Sequence, residues 1–117
     1  MQVDQLKSIV IDALEDRKAL KISTLDVSEF SSVADYMIIA EGTSRRHVAS
    51  IADHLVYAVK HAGLLPIGVE GQDSAEWVLV DLGDVIVHIM MPDTRAYYEL
   101  EKLWQVGARP PADHQSS

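Results

Sequence analysis

The chain is 117 residues long, 48% hydrophobic, free of cysteine, and carries a formal net charge of −8. That length supports one domain with a real core, the hydrophobic share excludes a disordered chain, and the lack of cysteine excludes disulfides and thiol-based metal or redox chemistry, so a reducing cytoplasm is the expected home. No apolar run reaches the roughly 18 residues of a membrane span, and Met1-Gln2-Val3-Asp4-Gln5 lacks the basic-then-apolar order of a secretion signal.

Val3, Leu6, Val10, Ala13 and Leu14 recur at helical spacing, which predicts an amphipathic helix over 3–19. Lys21 to Val27 alternates and reads as a short strand, and Ser28 to Ser32 as a turn. Asp35 to Ala40 is nearly continuous apolar sequence, the pattern of a central strand buried on both faces. Gly42-Thr43-Ser44 opens a second helix, with Thr43 or Ser44 as its cap. Its buried stripe is Val48, Ile51, Ala52, Leu55, Val59 and Ala62, and Gly63 ends it. Arg45, Arg46 and His47 place cations against the helix dipole, so nearby acids or a bound anion should offset them.

Pro66 to Glu70 reads as an edge strand, because proline cannot donate to a ladder. Gly71 to Ser74 is a loop. Trp77 to Met90 then forms a hairpin around a Gly83-Asp84 turn. In that register Val78, Val80, Leu82, Val85, Val87 and Ile89 make one aliphatic core face. The other face pairs Trp77 with Met90, Leu79 with His88 and Asp81 with Ile86. Such a mixture suits either a partner surface or a face covered by a helix of the same chain. Asp93 or Thr94 caps a last helix bearing Tyr97, Tyr98, Leu100, Leu103 and Trp104. Of the adjacent tyrosines only one can face inward, and core is the expectation for that one and for Trp104. From Gly107 the chain reads as a flexible tail, giving a domain over 1–105 and a tail over 106–117. The order α-β-β-α-β-β-β-α predicts an α/β fold, a mixed sheet of about five strands with flanking helices.

Between Pro66 and Trp104 there are eight acids (Glu70, Asp73, Glu76, Asp81, Asp84, Asp93, Glu99, Glu101) against two bases (Arg95, Lys102), a local charge of −6. Nucleic acid phosphate is therefore not the main partner expected of this half; a basic protein is. His47, His54 and His61 are spaced by seven, which places them about 10 Å apart along a helix, too far to share a metal ion. Asp81 and Asp84 bracket the turn and could hold magnesium, but turn aspartates are common for backbone reasons. Gly42-Thr43-Ser44 with Arg45 and Arg46 is the best small-anion candidate, although any capped helix looks like this. No nucleophile elbow or glycine-rich phosphate loop is present, and no cofactor or metal is expected.

Several strings recur together in a specific order: Asp35-Tyr36-Met37-Ile38-Ile39, Gly42-Thr43-Ser44-Arg45-Arg46-His47-Val48, Ile51-Ala52-Asp53, Gly71 through Trp77 to His88, and Arg95 through Trp104. In these the chain resembles the ribosomal silencing factor family (RsfS, or Iojap-like), from the first helix to Trp104, with Glu41 standing where a smaller or neutral residue is the pattern. The resemblance implies a nucleotidyltransferase-like α/β fold, usually homodimeric. It implies binding to large ribosomal subunit protein fourteen on the face where the small subunit docks, and a steric block to subunit joining when nutrients are scarce, without catalysis. Trp77, Leu79, His88 and Met90 are then expected as the apolar centre of the partner surface, with Glu70, Asp73, Asp81 and Asp84 as its charged rim and Tyr98 beside it. The same sheet face, or the first helix, is the candidate dimer seam. The competing readings are a nucleotidyltransferase gripping its nucleotide at Gly42-Thr43-Ser44, and a dimeric acidic adaptor for another basic protein.

Overall fold

The computed structural model describes residues 1–103; the expected tail and Trp104 lie outside them. In chain order the elements are α1 (Val3–Asp16), β1 (Leu20–Asp26), β2 (Tyr36–Glu41), α2 (Arg45–His61), β3 (Gly68–Glu70), β4 (Trp77–Asp81), β5 (Val85–Met90), α3 (Pro92–Tyr98) and α4 (Leu100–Leu103). The five strands form one mixed sheet in the order β1-β2-β5-β4-β3. Among the described residues only β2 and β5 run parallel; the other pairings are antiparallel. The crossover between the two parallel strands carries α2, which packs back on the sheet beside α1.

The hairpin takes the register its sequence demands, Val78 opposite Ile89 and Val80 opposite Val87. Gly83 adopts φ 88° while Asp84 does not enter the left-handed region, so the turn is of the type with glycine first. Ile38, Ala40, Val78, Val80, Val85, Val87 and Ile89 make the sheet side of the core, and Leu6, Val10, Leu14, Val48, Ile51, Leu55 and Val59 make the helix side. Strand β2 is buried throughout apart from Tyr36, as its unbroken apolar run requires. Strand β3 lies at the edge, as Pro66 suggested.

The first helix stops at Asp16, three residues short of expectation. Lys18 takes φ 59°, its N–H donates to the Glu15 carbonyl and the Ala19 N–H to that of Leu14. This is a Schellman end without the glycine that normally signals one. Gly63 (φ 96°) closes α2 in the same way, as expected, but leaves Ala62 exposed at the cap instead of in the buried stripe. The last helix is two pieces. Glu99 adopts φ 49° between them, and Met91 with Pro92 at the first position, not Asp93 or Thr94, starts α3. Proline is at home there because that N–H has no partner in any helix. Truncation of the sealed Ile38 to Ala should cost about 2–5 kcal/mol, whereas Ile67→Ala, on a side chain 72% exposed, should change stability by less than about 0.5 kcal/mol; urea denaturation measures both.

Candidate partner-binding surface

Pairing registers carry side chains across the sheet in rows on the face away from α1 and α2. One row runs Met37, Ile86, Asp81, Gly68; the next Ile39, His88, Leu79, Glu70; the third Glu41, Met90, Trp77. The surface expected of the hairpin is therefore one continuous band, ending at the exposed Glu70 on the edge strand. Asp73 is exposed in the turn leading into Trp77, and Asp84 in the hairpin turn. Asp81 is half-buried, and its Oδ1 accepts from the Gly83 N–H at 2.9 Å. That bond gives this carboxylate a backbone task in the turn, the reading set against magnesium above.

Two residues expected at the contact centre are not on the surface. Met90 is fully buried and His88 is 5% exposed. Met90 packs with Val27, Met37 and Ile39 under Leu25, Trp77 and Leu100. The chain's own C-terminal segment thus covers one end of the face, while Leu79 and Ile86 stay half-open at the other. The reading in which the chain covers its own sheet face therefore holds over the Met90 end, and the half-open end is what is left as the candidate partner surface. Neither tyrosine is core: Tyr97 is 78% and Tyr98 50% exposed, because α3 buries no residue. Tyr98 instead lies on the half-buried Trp77, ring centroids 4.8 Å apart.

Trp77 is held from beneath. Its indole Nε1–H donates to His88 Nδ1 at 2.8 Å. An indole nitrogen can only donate, so that ring nitrogen carries no proton and His88 is the neutral Nε2–H form. Burial pushes its pKa down to about 4, in the same sense. The loop before Trp77 is equally constrained: Gly71 has φ 91°, and a Cβ there would lie 2.1 Å from the Trp77 carbonyl oxygen.

What fastens the C-terminal segment was not singled out by the sequence. Arg95, its side chain 11% exposed, donates from Nη1 to Glu41 Oε2 at 3.2 Å and to the Lys21 carbonyl at 2.7 Å. Its Nε and Nη2 grip the two oxygens of Glu101 at 3.0 and 2.8 Å. The Glu101 carboxyl is held below its ordinary pKa chiefly by these bonds. Lys21 sits at an irregularity in the β1–β2 pairing with φ 50°, and its carbonyl is one of the groups Arg95 bonds. Glu41, out of place as sequence, was the available signal: a carboxylate ending a buried strand requires a cation.

The helix-opening turn is also committed internally. Ser44 Oγ accepts from the His47 N–H at 3.0 Å, and the Thr43 N–H donates to His47 Nδ1 at 2.8 Å. Arg45 pairs with Glu76, so an acidic neighbour supplies the offset that the dipole called for.

The ribosomal silencing factor family model, described as "ribosomal silencing factor during starvation", matches residues 1–117. The chain is 44% identical over 104 residues to ribosomal silencing factor RsfS of Chromobacterium violaceum, covering 89% of this chain and 85% of that protein. It is 35% identical over 99 residues to mouse mitochondrial assembly of ribosomal large subunit protein 1, covering 82% of this chain and 43% of that longer protein. A crystal structure of a Chromobacterium violaceum protein superposes with a TM-score of 0.88 at 43% identity, covering 95% of this chain and 91% of that one.

Arg95→Met leaves Glu41 buried without a cation and should cost about 3–5 kcal/mol in denaturant titration. His88 contributes a distinct pH dependence. Its folded pKa of about 4 lies below its ordinary 6.5, so the unfolded chain binds the proton more readily. Stability is then fully present above about pH 6.5 and declines by up to roughly tenfold in folding constant per pH unit down to about 4. His88→Gln retains an acceptor for the indole and should flatten that slope.

Proposed function

Because the chain belongs to the ribosomal silencing factor family, we propose that it binds large ribosomal subunit protein fourteen on the surface where the small subunit docks. By occupying that space it lowers translation when nutrients are limiting, acting in the cytoplasm as a homodimer. The mechanism needs no bond made or broken. The family's description, silencing during starvation, and the name of one relative, assembly of the ribosomal large subunit, support this direction.

The observation that carries the reading is the arrangement around Trp77. An indole with its N–H already satisfied can offer the open part of its half-buried ring without leaving a buried donor unpaired on binding. Tyr98 and Leu79 extend it as an apolar centre, with His88 and Met90 as its support from below. Glu70, Asp73, Asp81 and Asp84 make an acidic rim. A centre of tryptophan and tyrosine inside a charged rim is the usual anatomy of a protein hot spot, and ribosomal proteins are basic. A nucleotidyltransferase reading has less to build on, because the Thr43 N–H that would meet a phosphate already donates to His47. An adaptor for some other basic protein would use the same surface with a different partner.

Trp77→Ala should weaken co-sedimentation with purified large subunits by about 30-fold, the scale of a hot-spot loss near 2 kcal/mol. Asp84→Lys, at an exposed turn, should weaken it more at low salt than at high. Wild-type protein should also lower the yield of joined ribosomes without any nucleotide. Binding indifferent to both substitutions would remove this surface from the proposal.

A further inference from the structure

A second concave surface lies on the helix layer, away from the sheet face. It is a groove of about 620 Å³ along the outer side of α2, lined by Arg17, Arg46, Ser50, Asp53, His54 and Tyr57. Its two guanidiniums come from different elements, the end of α1 and the start of α2. They are brought together by two ties: the His47 Nε2–H donates to the Arg17 carbonyl at 2.7 Å, and His54 Nε2 lies 3.1 Å from Asp16 Oδ2. Since Thr43 donates to His47 Nδ1, the other nitrogen of that ring must carry the proton, which fixes the direction of the first tie.

The groove combines two guanidiniums with an exposed aromatic ring. Arg45 next door is neutralised by Glu76, but the Arg17 and Arg46 side chains have no hydrogen bond or ion pair among the described residues. On a chain of net charge −8, the groove brings together two arginines that have no ion pair among the described residues. Tyr57 is 63% exposed although it is large and aromatic. Its ring lies within 21° of parallel to His54 and within 16° of His61, at centroid distances of 6.4 and 5.8 Å, so three flat rings line up along the helix.

We propose that this groove binds a single-stranded segment of RNA, with Arg17 and Arg46 on successive phosphates and a base stacked on Tyr57. Cations tracking a backbone beside an exposed aromatic face are what a single strand needs, because its unstacked bases can reach a ring. Asp16 is occupied by His54. Asp53 remains as the carboxylate within the groove and is placed to accept from the amino or imino edge of a base, which a peptide carboxylate does not offer. That the polyanion is RNA rests on the reading above, in which the chain works on the large ribosomal subunit; the groove would then give the factor a second contact there, independent of Trp77.

The test measures anisotropy of fluorescein-labelled oligouridylate and oligoadenylate with the whole chain over a range of salt. Wild type should bind, and the double substitution Arg17→Glu with Arg46→Glu should weaken binding at least about tenfold. The slope of log affinity against log salt should fall by about 1.4, the release expected from two single-strand phosphates. Tyr57→Ala should weaken binding about tenfold with the salt slope unchanged. Trp77→Ala should bind the oligonucleotide like wild type while losing large subunits, so failure of the two readings is separable. No binding by wild type at low salt, binding indifferent to the arginine and tyrosine variants, or competition by uridine monophosphate or polyglutamate as strong as by unlabelled oligonucleotide would each overturn the proposal.

Discussion

One guanidinium joins the two halves of this molecule. Arg95 lies between Glu41 at the end of β2 and Glu101 in α4, and reaches the Lys21 carbonyl in β1. Helix α3 buries no residue at all. Its position is therefore set by a few directed bonds, not by area. A charge pair this shielded adds little net stability over an apolar substitute but is costly to break from one side. Its structural consequence is orientation: with Arg95 seated, Leu100 closes over Met90 and Tyr98 comes down on Trp77.

That orientation decides what the sheet face presents. Without α3 and α4, the rows from Ile39 to Glu70 and from Glu41 to Trp77 would form one open apolar band. With them, the band divides into a sealed end and a half-open end, and Trp77 lies on the boundary. The indole is bonded to His88 below and lies against Tyr98, so little conformational freedom remains for binding to remove. Pre-organisation of this kind favours a tryptophan as anchor, since its large area is presented in one orientation.

The acidic sheet face and the arginine-lined groove lie on different layers. An acidic surface set with tryptophan and tyrosine suits a basic protein, and under the proposal above the arginines beside the exposed Tyr57 take a nucleic acid strand. A ribosomal surface offers both chemistries side by side. Net charge alone conceals this, because −8 describes the sum and not the separation.

Much of the architecture was legible from local pattern. Alternation in Trp77 to Met90 set the hairpin register to the residue, because a slip by one would turn the aliphatic face to solvent. The unbroken apolar run of β2, the Ser44 cap, the Gly63 stop and the edge position of β3 followed in the same way. The band of candidate surface residues was also legible, since facing residues share a side. Tertiary structure alone decided which of them remain outside. Met90 is buried because Trp77 and a segment ten residues later in the chain close over it, and His88 lies beneath the Trp77 indole; the return of that segment depends on Arg95 finding Glu41, 54 positions away. No periodicity encodes such a meeting. The left-handed residues Lys18, Lys21 and Glu99 were equally silent, because none carries the glycine signature; Lys18 and Glu99 are held by backbone bonds at their own helix ends, and the Lys21 carbonyl by Arg95 from across the fold.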